Sequence, residues 1–146
     1  MSYRDTSAPV KLYVQESDSK IFEGHLLSAA SPPATSRVTL YEARATFRRK
    51  EAEGMILPGT AQKLYDRLPR DIGARGIRLV ELSAEIEAEC GLVLDSCHQG
   101  APPIAIRTLD ALHLASAKAA LESEIVTTDK RMRDAAKLLR LGIFPV

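Results

Sequence analysis

Apolar residues in this chain alternate between two patterns. Short unbroken runs, such as residues 124–128, predict strands covered on both faces, because such strands have no polar side to alternate with. Longer stretches in which apolar residues return every three or four positions predict helices with one buried stripe. Strands are expected at 2–5, 34–37, 77–82, 124–128 and 143–146. Helices are expected at 8–15 behind Ser7, at 17–30 begun by Asp18 or Ser19, and at 40–53 between a Thr39 cap and Gly54. Further helices are expected at 57–68 stopped by Pro69, at 84–94 capped by Ser83, at 104–122, and at 130–141 ended by Gly142. The helix at 104–122 has the strongest period, through Leu109, Leu112, His113, Ala117 and Ala120, and its alanines admit a close neighbour. Residues 97–103, with Gly100, Pro102 and Pro103, form the clearest loop. Strands alternating with helices specify a three-layer α/β/α sandwich with a mostly parallel central sheet, in one domain spanning 1–146. In such sheets, ligands bind beyond the carboxyl ends of the strands.

Composition narrows the partners more than the fold. A chain of 146 residues buries roughly 70% of its unfolded surface on folding. The net charge of +1 makes any nucleic-acid footprint a local matter. Arg4, Asp5, Lys11, Glu16 and Asp18 leave no apolar core for a signal peptide, and no run spans a bilayer, so a cytoplasmic protein without a membrane partner is expected. Cys90 and Cys97 lack zinc-ligand spacing and read as reduced, half-buried thiols.

Against that background, four carboxylates stand out. Asp5 ends the first predicted strand and Asp129 ends the penultimate one. Glu42 lies in the first turns of the helix after the second strand, and Asp110 sits in the alanine-rich helix. Carboxylates beside buried segments are costly unless a cation holds them, and a hard divalent metal is the simplest cation for oxygen donors. That combination points to metal-assisted phosphate chemistry. Taken singly, Asp5 and Asp129 also suit helix caps, and Glu42 suits a helix amino terminus. Asp110, between Leu109 and Ala111-Leu112, is harder to explain as a surface residue.

The same residues carry a resemblance. Asp5-Thr6-Ser7-Ala8 with Val10-Lys11-Leu12-Tyr13 opens the pattern, and Ser36-Arg37-Val38-Thr39 leads to Glu42. Arg107-Thr108-Leu109-Asp110-Ala111-Leu112-His113-Leu114-Ala115 and Thr127-Thr128-Asp129-Lys130-Arg131-Met132 complete it. In order, spacing and length, the chain resembles PIN-domain ribonucleases of the VapC toxin type, nearly end to end. The resemblance implies Mg²⁺- or Mn²⁺-dependent cleavage of RNA, a homodimer, and neutralisation by a cognate antitoxin. It places the acidic quartet on Asp5, Glu42, Asp110 and Asp129, and the supporting hydroxyls on Ser7 and Thr128, with Thr127 competing for the second role. Arg4 and Pro9 stand where the family usually has apolar residues; Arg4 would need a carboxylate partner or an exit to solvent.

On this reading Asp5, Asp110 and Asp129 form the metal set, with Asp5 and Asp110 as its direct or water-bridged ligands, Glu42 completes the site, and Glu42 or Asp129 accepts the proton of the attacking water. His113 reads as a packed, hydrogen-bonded core residue. Basic stretches follow Glu42 (Arg44, Arg48, Arg49, Lys50) and flank Asp129 (Lys130, Arg131, Arg133, Lys137). They are either solvated faces or a phosphate track, with Arg48, Arg49, Lys130 and Arg131 as RNA-binding candidates. Two rivals remain. One is a catalytically impaired PIN-like domain acting as a binding or scaffold module. The other is an aspartyl-phosphate phosphatase, which would want Asp-x-Asp where the chain has Asp5-Thr6-Ser7.

Overall fold

The computed structural model describes residues 1–146. Five parallel strands, β1 (Ser2–Arg4), β2 (Ala34–Ser36), β3 (Arg78–Val80), β4 (Glu124–Val126) and β5 (Gly142–Phe144), lie in the order β3-β2-β1-β4-β5. Seven helices connect them: α1 (Ser7–Val10), α2 (Ser19–Leu27), α3 (Arg37–Ala52), α4 (Thr60–Ala74), α5 (Ala84–His98), α6 (Thr108–Ala119) and α7 (Lys130–Leu138). This is the expected α/β/α sandwich. Strand residues alternate between its two cores. Tyr3 and Ile125 face α5, α6 and α7 through Val93, Leu114 and Met132. On the other face Val126 packs with Ala8, Phe22 and Phe144, and a neighbouring core of Val10, Leu40, Phe47, Leu68 and Ile72 joins α1, α3 and α4. The strand order reverses direction between β1 and β4, which sets the crevice where ligands bind.

Several element ends depart from expectation. Helix α3 starts at Arg37 because Ser36, the last residue of β2, caps it by accepting from the Val38 amide at 3.2 Å. Thr39, expected as the cap, lies inside the helix, its hydroxyl 2.7 Å from that of Thr35. Helix α4 runs through Pro69, since Ala61, Leu68 and Ile72 keep one buried stripe across it while Pro69 itself is exposed. Helix α1 is shorter than expected and tightens after Val10 into turns, with the Leu12 amide bonding the Pro9 carbonyl at 3.1 Å. Helix α7 ends before Gly142: Arg140 takes the left-handed position at φ 61°, and Gly142 opens β5 instead.

Two differences bear on the site. Helix α5 extends to His98, and residues 104–107 lie outside any helix, with Ile106 buried and its amide turned back to the Ile104 carbonyl at 2.9 Å. Helix α6 therefore begins at Thr108, which moves Asp110 into its first turn, where the helix dipole favours a carboxylate. Arg4 is fully buried on β1. It finds neither a direct carboxylate nor solvent. Its guanidinium donates to Nδ1 of His25 at 2.9 Å, and Nε2 of His25 donates to Glu124 at 2.9 Å. Because arginine can only donate, His25 Nδ1 must accept, which fixes the proton on Nε2. Burial lowers the Arg4 pKa to about 10, with Glu124 opposing.

Candidate active site

The carboxyl ends of β1, β2 and β4 open into a cleft of about 570 Å³. Asp5, Glu42, Asp110 and Asp129 all line it, as do Ser7 and Thr128. Four segments far apart in sequence thus meet where the topology predicts a ligand site.

Asp5 is the most built-in of the four. One oxygen accepts from the Ser7 amide at 2.9 Å and the Ser7 hydroxyl at 2.5 Å; the other accepts from the Thr127 hydroxyl. Burial pushes its pKa up, opposed by His113, Ser7 and Thr127. Of the two threonines competing for the supporting position, Thr127 is therefore the one whose hydroxyl reaches Asp5. β4 ends at Val126, which turns the next side chain, Thr127, inward and fully buries it, while Thr128 stays exposed and offers its amide to the Ser7 hydroxyl at 3.3 Å. Asp129 serves two ends: Oδ1 caps α7 by accepting from the Arg131 and Met132 amides at 2.8 and 3.1 Å, and Oδ2 faces the cleft.

Glu42 is held by a buried relay. Its Oε1 accepts from the Thr6 hydroxyl at 2.8 Å and from Nε2 of His113. Nδ1 of His113 lies 2.7 Å from the Tyr3 hydroxyl, and the two rings meet edge to face at 5.8 Å. With an ionised Glu42 as acceptor, Nε2 must carry a proton. Burial alone would raise the Glu42 pKa, but His113, Thr6 and Arg107 hold it below the ordinary range. His113 is thus packed in the core as expected, yet it also reaches the cleft. Oε2 of Glu42 has no partner within the protein.

Arg107 is the site residue that the sequence reading overlooks. Its guanidinium donates to both oxygens of Asp110, at 2.9 and 3.3 Å, and to Oδ2 of Asp129 at 3.4 Å. Its position three residues before Asp110 is a usable signal, since a residue at the amino-terminal boundary of a helix lies beside the third residue of the first turn. Thr6 and Tyr3 carry no comparable signal beyond their adjacency to Asp5 and the strand.

The donor set is hard oxygen, which suits Mg²⁺ or Mn²⁺. No three acidic, histidine or cysteine side chains close into a ready-made cage, so the expected trio of Asp5, Asp110 and Asp129 shares a cleft without forming a closed ligand set. Mg²⁺ asks for less, keeping several waters beside one or two carboxylates. Of the RNA-binding candidates, Arg49 and Lys130 line the cleft. Arg48 turns away to Gln62 at 2.9 Å, and Arg131 lies outside the lining. The far end of the cleft holds Lys11 and Lys50, both bonded to Glu16, with Asp18 at 2.6 Å from Lys11. No helix is long and apolar enough to cross a membrane.

The PIN domain family pattern matches residues 3–138, and the chain belongs to that family. A search of curated proteins finds no match. The fold is similar to VapC20 of Mycobacterium tuberculosis, described as a sarcin-ricin loop cleaving toxin (TM-score 0.68, 14% identity, 92% of this chain and 95% of that one). It is also similar to FitAcB from Neisseria gonorrhoeae (TM-score 0.69, 18% identity, 99% and 96% covered). A third likeness is to VapBC2 from Rickettsia felis bound to a promoter DNA fragment (TM-score 0.65, 16% identity, 98% and 97% covered). At these identities the likeness is one of fold.

Proposed function

We propose that this chain is a metal-dependent endoribonuclease, the homodimeric, cytoplasmic toxin of a toxin-antitoxin pair, which hydrolyses RNA phosphodiester bonds with an activated water. The observation that carries this reading is the meeting of Asp5, Glu42, Asp110 and Asp129 in one cleft at the strand ends. Similarity in fold to a sarcin-ricin loop cleaving toxin and to a toxin-antitoxin complex from Klebsiella pneumoniae supports it.

In this reading Asp5, Asp110 and Asp129 hold the cation. A bound Mg²⁺ or Mn²⁺ supplies charge against the phosphate oxygens and acidifies a water. Glu42, kept ionised and oriented by His113 and Thr6, accepts the water's proton through its open Oε2. Ser7 and Thr127 fix the Asp5 carboxylate, so its reach into the cleft does not depend on the cation. Arg49 and Lys130 stand at the rim to meet flanking phosphates. The partner is a small antitoxin that lays a basic side chain, best an arginine, among the four carboxylates. Arg107 already holds Asp110 and Asp129, so Oε2 of Glu42 is the open seat for it. Arg4, the departure from the family pattern nearest the quartet, points away from the cleft into the His25–Glu124 pair, which counts against the scaffold alternative.

Cleavage of RNA by purified protein tests the reading. Excess chelator should stop it and Mg²⁺ or Mn²⁺ restore it. Asp110→Asn should reduce it at least about a hundredfold with an unchanged circular dichroism spectrum. Cleavage that survives chelator, or a wild-type rate in Asp110→Asn, would overturn the assignment.

A further inference from the structure

We infer that Arg107 is a displaceable counterion of the acidic cleft: it occupies the carboxylate oxygens that a divalent cation needs, gives way when the cation binds, and then turns to an RNA phosphate. The inference rests on the proposed function. Oδ1 of Asp129 is already committed to two backbone amides of α7, which leaves Oδ2 as its only oxygen toward the cleft, and Arg107 donates to it. Both oxygens of Asp110 also accept from Arg107. Every cleft-facing oxygen of this pair is therefore bonded to one guanidinium, and a cation bound directly between Asp110 and Asp129 competes with it for those oxygens and for the space between them.

Arg107 is built to be displaced. It precedes α6 with extended backbone at φ −84° and ψ 159°, so its side chain is not packed into the helix. Its side chain is 59% exposed, and its ion pairs are only with Asp110 and Asp129. Asp110, by contrast, is 5% exposed and fixed in the first turn of α6. The mobile partner of the pair is the arginine. Once released it lies at a cleft whose carboxylates are claimed by the cation, and an anionic phosphodiester is the ligand that matches a planar, bidentate donor there.

Binding measurements separate this role from a structural one. Isothermal titration of Mn²⁺ into RNA-free protein should show Arg107→Gln binding about five- to tenfold more tightly than wild type, because the competing ion pair is gone. A residue that merely orders the site would give the opposite sign. Arg107→Lys, which keeps the charge but not the fork, should fall between. Affinity for a short RNA, read with Ca²⁺ as the cation, should drop in Arg107→Gln when the cation is present and stay unchanged in chelator. Equal or weaker Mn²⁺ binding by Arg107→Gln would overturn the counterion role, and an RNA loss that is the same with and without cation would overturn the turn to phosphate. If neither wild type nor Arg107→Gln binds Mn²⁺ in a way that Asp110→Asn removes, the metal-dependent reading itself fails, which is a different result.

Discussion

The two ends of the cleft are charged on opposite terms. At the far end Lys11 and Lys50 share Glu16, and Asp18 takes a further bond from Lys11, so each cation has a carboxylate of its own. At the strand ends Asp5, Glu42, Asp110 and Asp129 have Arg107 as their only guanidinium, and it reaches only two of them. Both lysines are buried or nearly so, with side-chain exposures of 6% and 10%, and a buried charge is tolerable when it is paired. The first end is thus closed within the chain and ties the turn after α1 to α3. The second carries an excess of carboxylates over the ion pairs they form within the chain, which an outside cation or cationic group would relieve. Charge balance, more than charge density, separates a structural cluster from a ligand site.

The sharpest way to break this comparison is to unbalance the compensated end. Glu16→Gln should cost about 2 kcal/mol, because it leaves Lys50 without a carboxylate; at this chain length that is about 4–8 °C in Tm. Mn²⁺ affinity should not change. The acid limb offers a second readout. Lys11 and Lys50 hold the Glu16 carboxyl below its ordinary 4.5, so its contribution is present above that value and is lost as pH falls below it. Asp5 runs the other way. Burial raises its pKa above 3.8, so its relative stabilisation is full below 3.8 and disappears as pH rises through the folded value. Thermal midpoints in chelator across the acid range should show Glu16→Gln losing part of the fall on acidification. If that variant matches wild type in midpoint and in acid profile, the lysine end is ornamental and the contrast fails.

How far the sequence reveals such a contrast depends on which interaction decides each feature. The strand and helix alternation is legible because periodicity reflects burial directly. The stop at Gly54 is legible too, since the left-handed turn there at φ 74° follows a helix end and lets the Met55 amide bond the Lys50 carbonyl at 2.9 Å. Gly142 looks the same in sequence but opens β5, where its amide bonds the Ser123 carbonyl at 2.8 Å. The quartet is legible as a set of residue types at strand ends, whereas its partners are not. Choosing between Thr127 and Thr128 needs the last residue of β4, because inward and outward positions swap with every step. Arg107 pairs with Asp110 by local spacing, but its bond to Asp129 exists only once α6 and the β4–α7 corner meet.

A smaller effect tests which basic residues belong to the cleft. Arg49→Ala with Lys130→Ala should flatten the salt dependence of RNA binding by about 1.4 logarithmic units, at roughly 0.7 per contact on a single strand. Arg48→Ala with Arg131→Ala should leave the slope unchanged, since neither lines the cleft. Equal slopes in the two double variants would mean that the lining does not mark the phosphate path.

The finest test asks whether the acidic end stores repulsion when no cation is bound. Asp129→Asn is the cleanest probe, because asparagine caps a helix as well as aspartate does, so the Arg131 and Met132 amides keep their acceptor. Its contact with Arg107, at 3.4 Å and partly exposed, is weak. Removing one negative charge should therefore relieve more than it loses. Two carboxylates 4 Å apart repel by about 4 kcal/mol at an effective dielectric of 20, and screening by Arg107 and water leaves a net gain of about 0.5 kcal/mol. That is about 1–2 °C in Tm in chelator. Asp110→Asn should move the other way, since Arg107 loses its charged partner and one of its two acceptors at a side chain that is 5% exposed. Saturating Mg²⁺ should reverse the order of wild type and Asp129→Asn, because only the assembled site gains from mass action. Scanning fluorimetry of the three proteins, with and without Mg²⁺, reads all of this at once. Should both variants fall together in chelator and respond alike to Mg²⁺, these aspartates are structural caps, and the acidic end is as balanced as the lysine end it was contrasted with.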